Sequence, residues 1–229
     1  MKPNKLFLLF SSVILLTSCA TNKSTRGNEY ALMYEQKPAT IVVMPPINET
    51  NATEAKDFFY TTMATPLIDK GYYVYSPYLV MDMFQSEGAY DSEMFIDGDL
   101  SQFRDVLGCD AVMFTRIKKW SKKALGGTIT VDVEYILKST NTGEILYQRE
   151  GEIKLDTSVN SGGSSPLGSL VNLAATALKT AATDKVVAGR ACNVYVLSDM
   201  PVGPYAPNYG DDSQLPAWKG KVKGTVKAK

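Results

Sequence analysis

Cys19 is the residue whose chemistry the sequence indicates most directly. It follows Leu16, Thr17 and Ser18, so an aliphatic residue and two small residues stand directly before a cysteine. Small side chains at these positions fit a signal peptidase that cuts before the cysteine, and the thiol can then accept a diacylglycerol. The pattern therefore predicts that Cys19 becomes the lipid-bearing first residue of the mature chain.

The segment before Cys19 has the features of a secretory signal. Lys2 and Lys5 form a positive start, and the almost unbroken apolar run Leu6–Leu16 follows. As a helix this run would be about 16 Å long, which is too short for a hydrocarbon core of about 30 Å. Together with the lipobox-like cysteine, it predicts a lipoprotein signal peptide over 1–18. Ala20, where an aspartate would favour the inner membrane, predicts lipid anchoring in the outer membrane on the periplasmic side; a surface-facing orientation stays open.

The remaining candidate groups for chemistry are few. The chain has no histidine, which excludes Ser-His-Asp and Cys-His catalysis and the commonest zinc sites. We predict no catalytic residues, no metal site and no cofactor. Cys109 and Cys192 are the only cysteines after Cys19. A periplasmic location permits a disulfide between them, and two buried free thiols are the alternative.

Charge separates the body of the chain from its end. Residues 19–218 carry a net charge near −7, which argues against nucleic acid as a partner. The last eleven residues hold five lysines and two glycines, which predicts a lysine-rich flexible tail over 211–229. Such a tail could contact anionic lipid or cell-wall polymer, or remain solvated without a partner.

Two short stretches are candidate interfaces for a partner. The first is a cationic cluster that comprises Lys118, Lys119, Trp120, Lys122 and Lys123. It is interpreted as a contact for an acidic partner, and the alternative is a solvated hairpin turn. The second is the Gly203-Pro204-Tyr205 segment, whose Pro204 and Tyr205 we include as candidate contacts. Self-association into a homo-oligomer is a further possibility for the partner.

The pattern of polar and apolar residues predicts the secondary-structure elements that position these candidate residues. Residues 19–37 are polar and turn-rich, which predicts a flexible tether, and a single α/β domain is expected over 38–210. Strands are predicted near 39–44, 72–75 and 111–115, with helices over about 53–70, 78–85 and 100–107 between them. This βαβαβ order predicts a mixed sheet that is flanked by helices and has some parallel pairing.

The second half of the domain has a different pattern. Polar and apolar residues alternate over 128–137 and 144–153, and the Ser139–Gly143 segment joins them, which predicts an antiparallel hairpin with one wet face. Residues 158–166 are rich in serine and glycine and predict a loop. A long C-terminal helical segment is expected from Leu167 towards Leu197.

Four motifs in order carry a resemblance to a known family: the lipobox at Cys19, the strand and turn Ile41–Thr50, Asp110-Ala111-Val112, and Met200–Tyr205. The combination resembles a family of bacterial outer-membrane lipoproteins of uncharacterised function, which includes a neisserial vaccine-candidate antigen. The likeness covers about residues 19–210. It implies a fold like the N-terminal domain of TolB, shared with the curli secretion lipoprotein CsgG.

The resemblance also bears on function. It implies a non-enzymatic accessory component of an outer-membrane transport or assembly system that works with a CsgG-like lipoprotein. The alternative is a lipoprotein regulator of a peptidoglycan synthase. A tether of about 18 residues reaches only roughly 20–25 Å as a random coil, which favours work near the chain's own membrane. The family provides no catalytic residues to transfer.

Overall fold

The computed structural model describes residues 24–88, 92–122, 128–156 and 183–227. The helices it contains are α1 Arg26–Glu29, α2 Ala31–Gln36, α3 Ala55–Asp69, α4 Pro77–Ser86, α5 Glu93–Ile96, α6 Ser101–Leu107 and α7 Thr183–Val196. The strands are β1 Thr40–Val43, β2 Ile47–Asn48, β3 Tyr73–Val74, β4 Ala111–Lys122, β5 Thr128–Ser139, β6 Ile145–Asp156 and β7 Val222–Lys227. The predicted signal peptide 1–18, Cys19 and the predicted loop 158–166 lie outside these ranges.

The strands form one mixed sheet in the order β3-β1-β4-β5-β6-β7, with β2 pairing beside β4. β1 runs parallel to β3 and to β4, as the βαβαβ pattern predicts. β4, β5 and β6 pair antiparallel through long ladders, which confirms the predicted hairpin. β7 then adds in parallel to β6 as an edge strand. The expected α/β class is therefore confirmed.

The sheet has an apolar core on each face because side chains alternate along a strand. Ile41 and Val43 pack into one core, beneath α3 and α7, with Phe59 among the buried residues. Val42 and Met44 pack into the other, with buried residues of α4, α5 and α6. Of the expected long C-terminal helix, the part that the structure describes is α7.

The flexible tether predicted over 19–37 is wrong for its described part, residues 24–37. Helices α1 and α2 form there, and Tyr30 and Met33 are buried in the core. The Tyr34 hydroxyl donates to Asp212 at 3.0 Å, and Arg26 pairs with the same carboxylate at 3.0 Å. These apolar and hydrogen-bonded contacts offset the entropy of ordering a segment whose composition alone suggests a linker.

The flexible tail predicted over 211–229 is also wrong for the residues described. Asp212 and Val222 are buried, and 222–227 form β7. Val222 and Gly224 lie on the side of the strand that faces α7, where a Cβ on Gly224 would come within 2.8 Å of the Tyr195 ring. Alternate lysines on the other side of the strand remain compatible with solvent, so a lysine-rich composition does not prevent strand pairing here.

Candidate functional site

The cationic cluster predicted over 118–123 lies within a strand instead of a turn. Lys118 pairs with Glu134 at 2.9 Å and also with Glu150, so its ammonium group already has two acidic partners inside the domain. Trp120 stacks on Phe58 and packs edge-on against Phe59 beside the core.

Among the other members of this cluster, Lys119 is exposed, Lys122 ends β4, and Lys123 lies outside the described residues. The structure therefore does not bring the five residues together as one exposed surface. The solvated-turn alternative is wrong as well, because 118–122 belong to a paired strand. A role for these residues in partner binding stays a prediction.

The Pro204-Tyr205 segment packs against the turn between α3 and β3. The Gly203 amide donates to the Lys70 carbonyl at 2.7 Å, and the Tyr205 amide donates to the Gly71 carbonyl at 3.0 Å. A Cβ on Gly203 would lie 2.4 Å from the Gly71 carbonyl oxygen, so this backbone crossing requires glycine. The Tyr205 side chain remains 67% exposed, and its role as a contact stays a prediction.

A buried polar junction fixes both terminal segments to the domain. The Asp199 carboxylate pairs with Arg149 at 3.1 Å and accepts hydrogen bonds from the Tyr30 hydroxyl at 2.5 Å and the Tyr147 hydroxyl at 3.1 Å. The Trp218 amide donates to the same carboxylate at 2.8 Å. Burial and the neighbouring carboxylate raise the pKa of Tyr30, so it remains a neutral donor.

The two cysteines lie in different cores. Cys109 belongs to the cluster with α4, α5 and α6, whereas Cys192 belongs to the cluster on the opposite face of the sheet. Both are buried free thiols, so the possible disulfide is not formed. Burial raises the pKa of Cys109 to about 12 and also raises the pKa of Cys192, which keeps both thiols protonated and unreactive.

An apolar groove of about 460 Å³ lies on the described domain, and we call it the helix groove. It is lined by residues of α4, α5 and α6 and of the segment after α4, namely Met83, Phe84, Glu87, Phe95, Gln102, Phe103, Val106 and Leu107. Three aromatic rings form its floor, with the centroids of Phe84, Phe95 and Phe103 5.3–5.4 Å apart. Val106 in its wall is 72% exposed.

The helices that form the groove expose further large apolar side chains. Tyr78 and Leu79 on α4 and Met94 on α5 are each more than 60% exposed. In soluble domains, exposed apolar side chains mark a binding site when they form one continuous surface of several hundred Å². Methionine side chains adapt their shape to a partner, which suits them to contact surfaces of this kind.

The sequence interpretation missed the helix groove, although a signal for it exists. The stretch Tyr78–Phe84 contains more large apolar residues than a ten-residue helix can bury on one side. Only Val80 of α4 is fully buried, Met81 and Phe84 pack partly against the cores, and Tyr78 and Leu79 are exposed. An excess of apolar residues over one helical stripe is the pattern that could have indicated an exposed binding surface.

Within the described residues, no group of three or more acidic, cysteine or histidine side chains could hold a metal ion. No helix in these ranges is both long and apolar enough to span a bilayer.

The fold and this groove define a mixed α/β domain that carries a surface suited to binding. A model of the GNA1162-like lipoprotein family matches residues 28–201. The chain therefore belongs to the GNA1162-like family of lipoproteins, which confirms the resemblance drawn from its motifs.

Individual relatives agree with this assignment. The chain is 27% identical over 187 residues to a lipoprotein of Neisseria meningitidis serogroup B, NMB1124/NMB1162, covering 81% of this chain and 85% of that one. The crystal structure of lipoprotein GNA1162 from N. meningitidis superposes with a TM-score of 0.50 at 26% identity, over 59% of this chain and 94% of that chain.

A more distant match is the PelC dodecamer from Paraburkholderia phytofirmans, with a TM-score of 0.41 and 13% identity. It covers 71% of this chain and 88% of that chain. The expected likeness to TolB and CsgG stays a prediction.

Proposed function

We propose that this protein is a lipid-anchored, non-enzymatic accessory component of an outer-membrane transport or assembly system, facing the periplasm. The observation that carries the proposal is the helix groove, because its aromatic floor and exposed wall are suited to an apolar segment of another protein. Burial of such surface is the main favourable term in protein association. Glu87 is the one ionisable side chain among the residues that line the groove, so the lining holds no pair of acid and base.

The position of the lipid supports work close to the anchoring membrane. The described domain begins at Ser24, five residues after Cys19. Five extended residues span at most about 18 Å, so Ser24 stays within that distance of Cys19. A flexible tether that extended to residue 37 would allow a longer distance between the lipid and the domain. The alternative function, regulation of a peptidoglycan synthase in the opposite membrane, requires a reach that this connection does not provide.

The partner that we propose is a CsgG-like lipoprotein, following the resemblance of the motifs. A photo-cross-linking amino acid at Val106, in the wall of the helix groove, tests this in cells. Ile68 is the matched control, because it is 54% exposed on α3 and does not line the groove. We expect an adduct with a CsgG-like lipoprotein from position 106 and none from position 68.

A second variant keeps the test independent of the cross-linker's position. Val106→Lys places a charge in the groove wall while leaving the buried core unchanged, so we expect loss of the adduct formed from a cross-linker at neighbouring Gln102. An adduct with a peptidoglycan synthase would overturn the proposal and favour the alternative. An adduct of twice the chain's mass would overturn the CsgG-like partner and identify a homo-oligomer as the occupant of the groove.

A further inference from the structure

The outer edge of β6 is paired along only half of its length. β7 pairs with β6 from Gly151 to Asp156, whereas the segment Ile145–Glu150 pairs with β5 alone. Along a strand, alternate residues direct their N–H and C=O groups to opposite sides, so part of this segment's backbone points away from β5. Among the described residues, no backbone group bonds to it on that side. The segment Ile145–Glu150 is therefore an open sheet edge.

A turn at Gly220 keeps the C-terminal chain away from this edge. Gly220 has a φ of +62°, a conformation that favours glycine. Before the turn, the Trp218 amide donates to the Asp199 carboxylate at 2.8 Å instead of to β6. The chain meets β6 only at Gly220, whose carbonyl accepts a hydrogen bond from the Arg149 guanidinium at 3.1 Å. The segment that leads into β7 thus leaves Ile145–Glu150 unpaired.

A cleft of about 460 Å³ lies along the open edge, and we call it the edge cleft. Its lining includes every residue of Ile145–Glu150, with Glu29 and Tyr30 on one side and Gly220 and Lys221 on the other. Successive side chains of a strand point to opposite faces of the sheet, so a cleft lined by all six residues lies beside the strand and not over one face. Six residues of strand extend about 20 Å, which is the length of a short extended peptide. The edge cleft shares no residue with the helix groove.

The carboxylates of the edge cleft are only partly neutralised. Glu134 and Glu150 lie directly opposite each other in the ladder between β5 and β6, and Lys118 pairs with both. One lysine balances one of these two negative charges. Glu29, on the side of the cleft formed by α1, is a third carboxylate and is exposed.

The cations of the lining do not balance this charge, because both are paired outside the cleft. Arg149 pairs with Asp199, and Lys221 pairs with Asp132. Neither aspartate lines the cleft. The edge cleft therefore presents net negative charge to a ligand, and a complementary ligand is cationic.

β7 shows what kind of strand this edge accepts. Its register places Lys223 directly opposite Glu152 of β6. Glu150 comes two residues before Glu152, so both side chains lie on the same face of the sheet. A further strand in line with β7 would place one of its side chains beside Glu150 in the same way, and a lysine or arginine at that position matches the carboxylate.

We propose that the edge cleft binds an extended segment of a partner protein that carries lysine or arginine at alternate positions. The segment adds to β6 as a strand in line with β7. Its backbone bonds to the open N–H and C=O groups of Ile145–Glu150 and provides the affinity, while its cationic side chains beside Glu150 provide the preference. This is a second binding surface of the domain, and it does not depend on which partner occupies the helix groove.

A fluorescein-labelled peptide of sequence Val-Lys-Val-Lys-Val-Lys is the probe, and its fluorescence anisotropy measures binding to the full mature chain in a non-ionic detergent. Two further peptides carry N-methyl groups, one on every valine and the other on every lysine. In an added strand, only one of these two sets of amides points towards β6. We therefore expect one methylated peptide to bind like the unmodified probe and the other to bind at least about tenfold more weakly, because its backbone donors are lost.

A charge variant tests the preference for a cationic segment. Glu150→Gln should weaken binding of the unmodified peptide about two- to fivefold, because the lysine beside it loses an opposite charge. Glu152→Gln is the matched control, since it lies on the same face of the same strand but opposite β7, and it should leave the affinity unchanged. Circular dichroism verifies that each variant is folded.

Failure of the unmodified peptide to bind, or equal affinities of the two methylated peptides, would overturn strand addition at the edge cleft. Equal effects of Glu150→Gln and Glu152→Gln would overturn the cationic segment as the ligand. Sedimentation of the chain with and without the peptide tests a second copy as the occupant: a dimer that the peptide dissociates would overturn the partner protein. Cross-linking from Val106 reports on the helix groove alone, so the proposed function and this proposal fail separately.

Discussion

Replacing Asp199 by asparagine should destabilise the fold severely, although it only exchanges a carboxylate for an amide. Asp199 is 3% exposed and is the acidic partner of Arg149, which is 5% exposed. Asparagine retains the volume but loses the charge, so the Arg149 guanidinium would remain buried without a counter-charge. The amide also presents donors towards the Tyr30 and Tyr147 hydroxyls, both of which donate to Asp199.

The structure sets the size of this effect. Breaking a buried ion pair by removing one partner costs about 3–5 kcal/mol, because the desolvated charge left behind has no compensation. Some of the lost hydrogen bonds are replaced by the amide, so the lower part of that range is the better expectation. A domain of this size has a free energy of unfolding of about 5–15 kcal/mol, so the loss of about 3 kcal/mol is readily measured.

Urea unfolding of the mature protein, followed by circular dichroism, measures the change. Asp211→Asn is the matched control, since Asp211 is exposed, and it should alter the free energy of unfolding by less than about 0.5 kcal/mol. The double variant Asp199→Asn with Arg149→Met should recover part of the loss, because no uncompensated charge remains. A single variant that loses less than about 1 kcal/mol would refute the reasoning that the junction is an ion pair.

Two further predictions concern titration and thiols. Burial, with Arg26 adding to the effect, lowers the pKa of Lys70 from 10.5 to about 8. Between about pH 8 and 10 the unfolded chain therefore binds more protons at Lys70 than the folded chain, so the free energy of unfolding should rise with pH by up to about 3 kcal/mol. Urea unfolding at several pH values checks this, and Lys70→Met should remove most of the slope; an equal slope in that variant would contradict it. Cys109 and Cys192 should both resist alkylation in the folded protein and both react after unfolding without reductant, as mass spectrometry would detect, whereas failure of both thiols to react after unfolding would show a disulfide instead.

The elements that sequence patterning predicted correctly are those whose signal is local. The alternation over 128–137 and 144–153 specifies a half-buried hairpin whatever the rest of the chain does, and β5 and β6 form there. The apolar run at Ile41–Val43 likewise specifies a covered central strand, which β1 is. In these segments, periodicity and burial depend on neighbours within a few residues along the chain.

The terminal segments could not be predicted in the same way, because their order depends on distant residues. Tyr30 is fixed by Asp199, which is 169 positions away in the chain, and β7 requires the edge of β6 as a template. From their composition alone, both terminal segments were predicted to be flexible. The helix groove was missed for a related reason, since α4, α5 and α6 are short and their exposed apolar residues become one surface only after packing.

The measurement that tests the central claim most directly is the cellular location of a Cys19→Ala variant. The proposal of a lipid-anchored accessory protein predicts that the native chain fractionates with the outer membrane. It predicts that the variant is folded, as judged by circular dichroism, but is no longer recovered with that membrane. A Cys19→Ala protein that still fractionates with the outer membrane would contradict the claim.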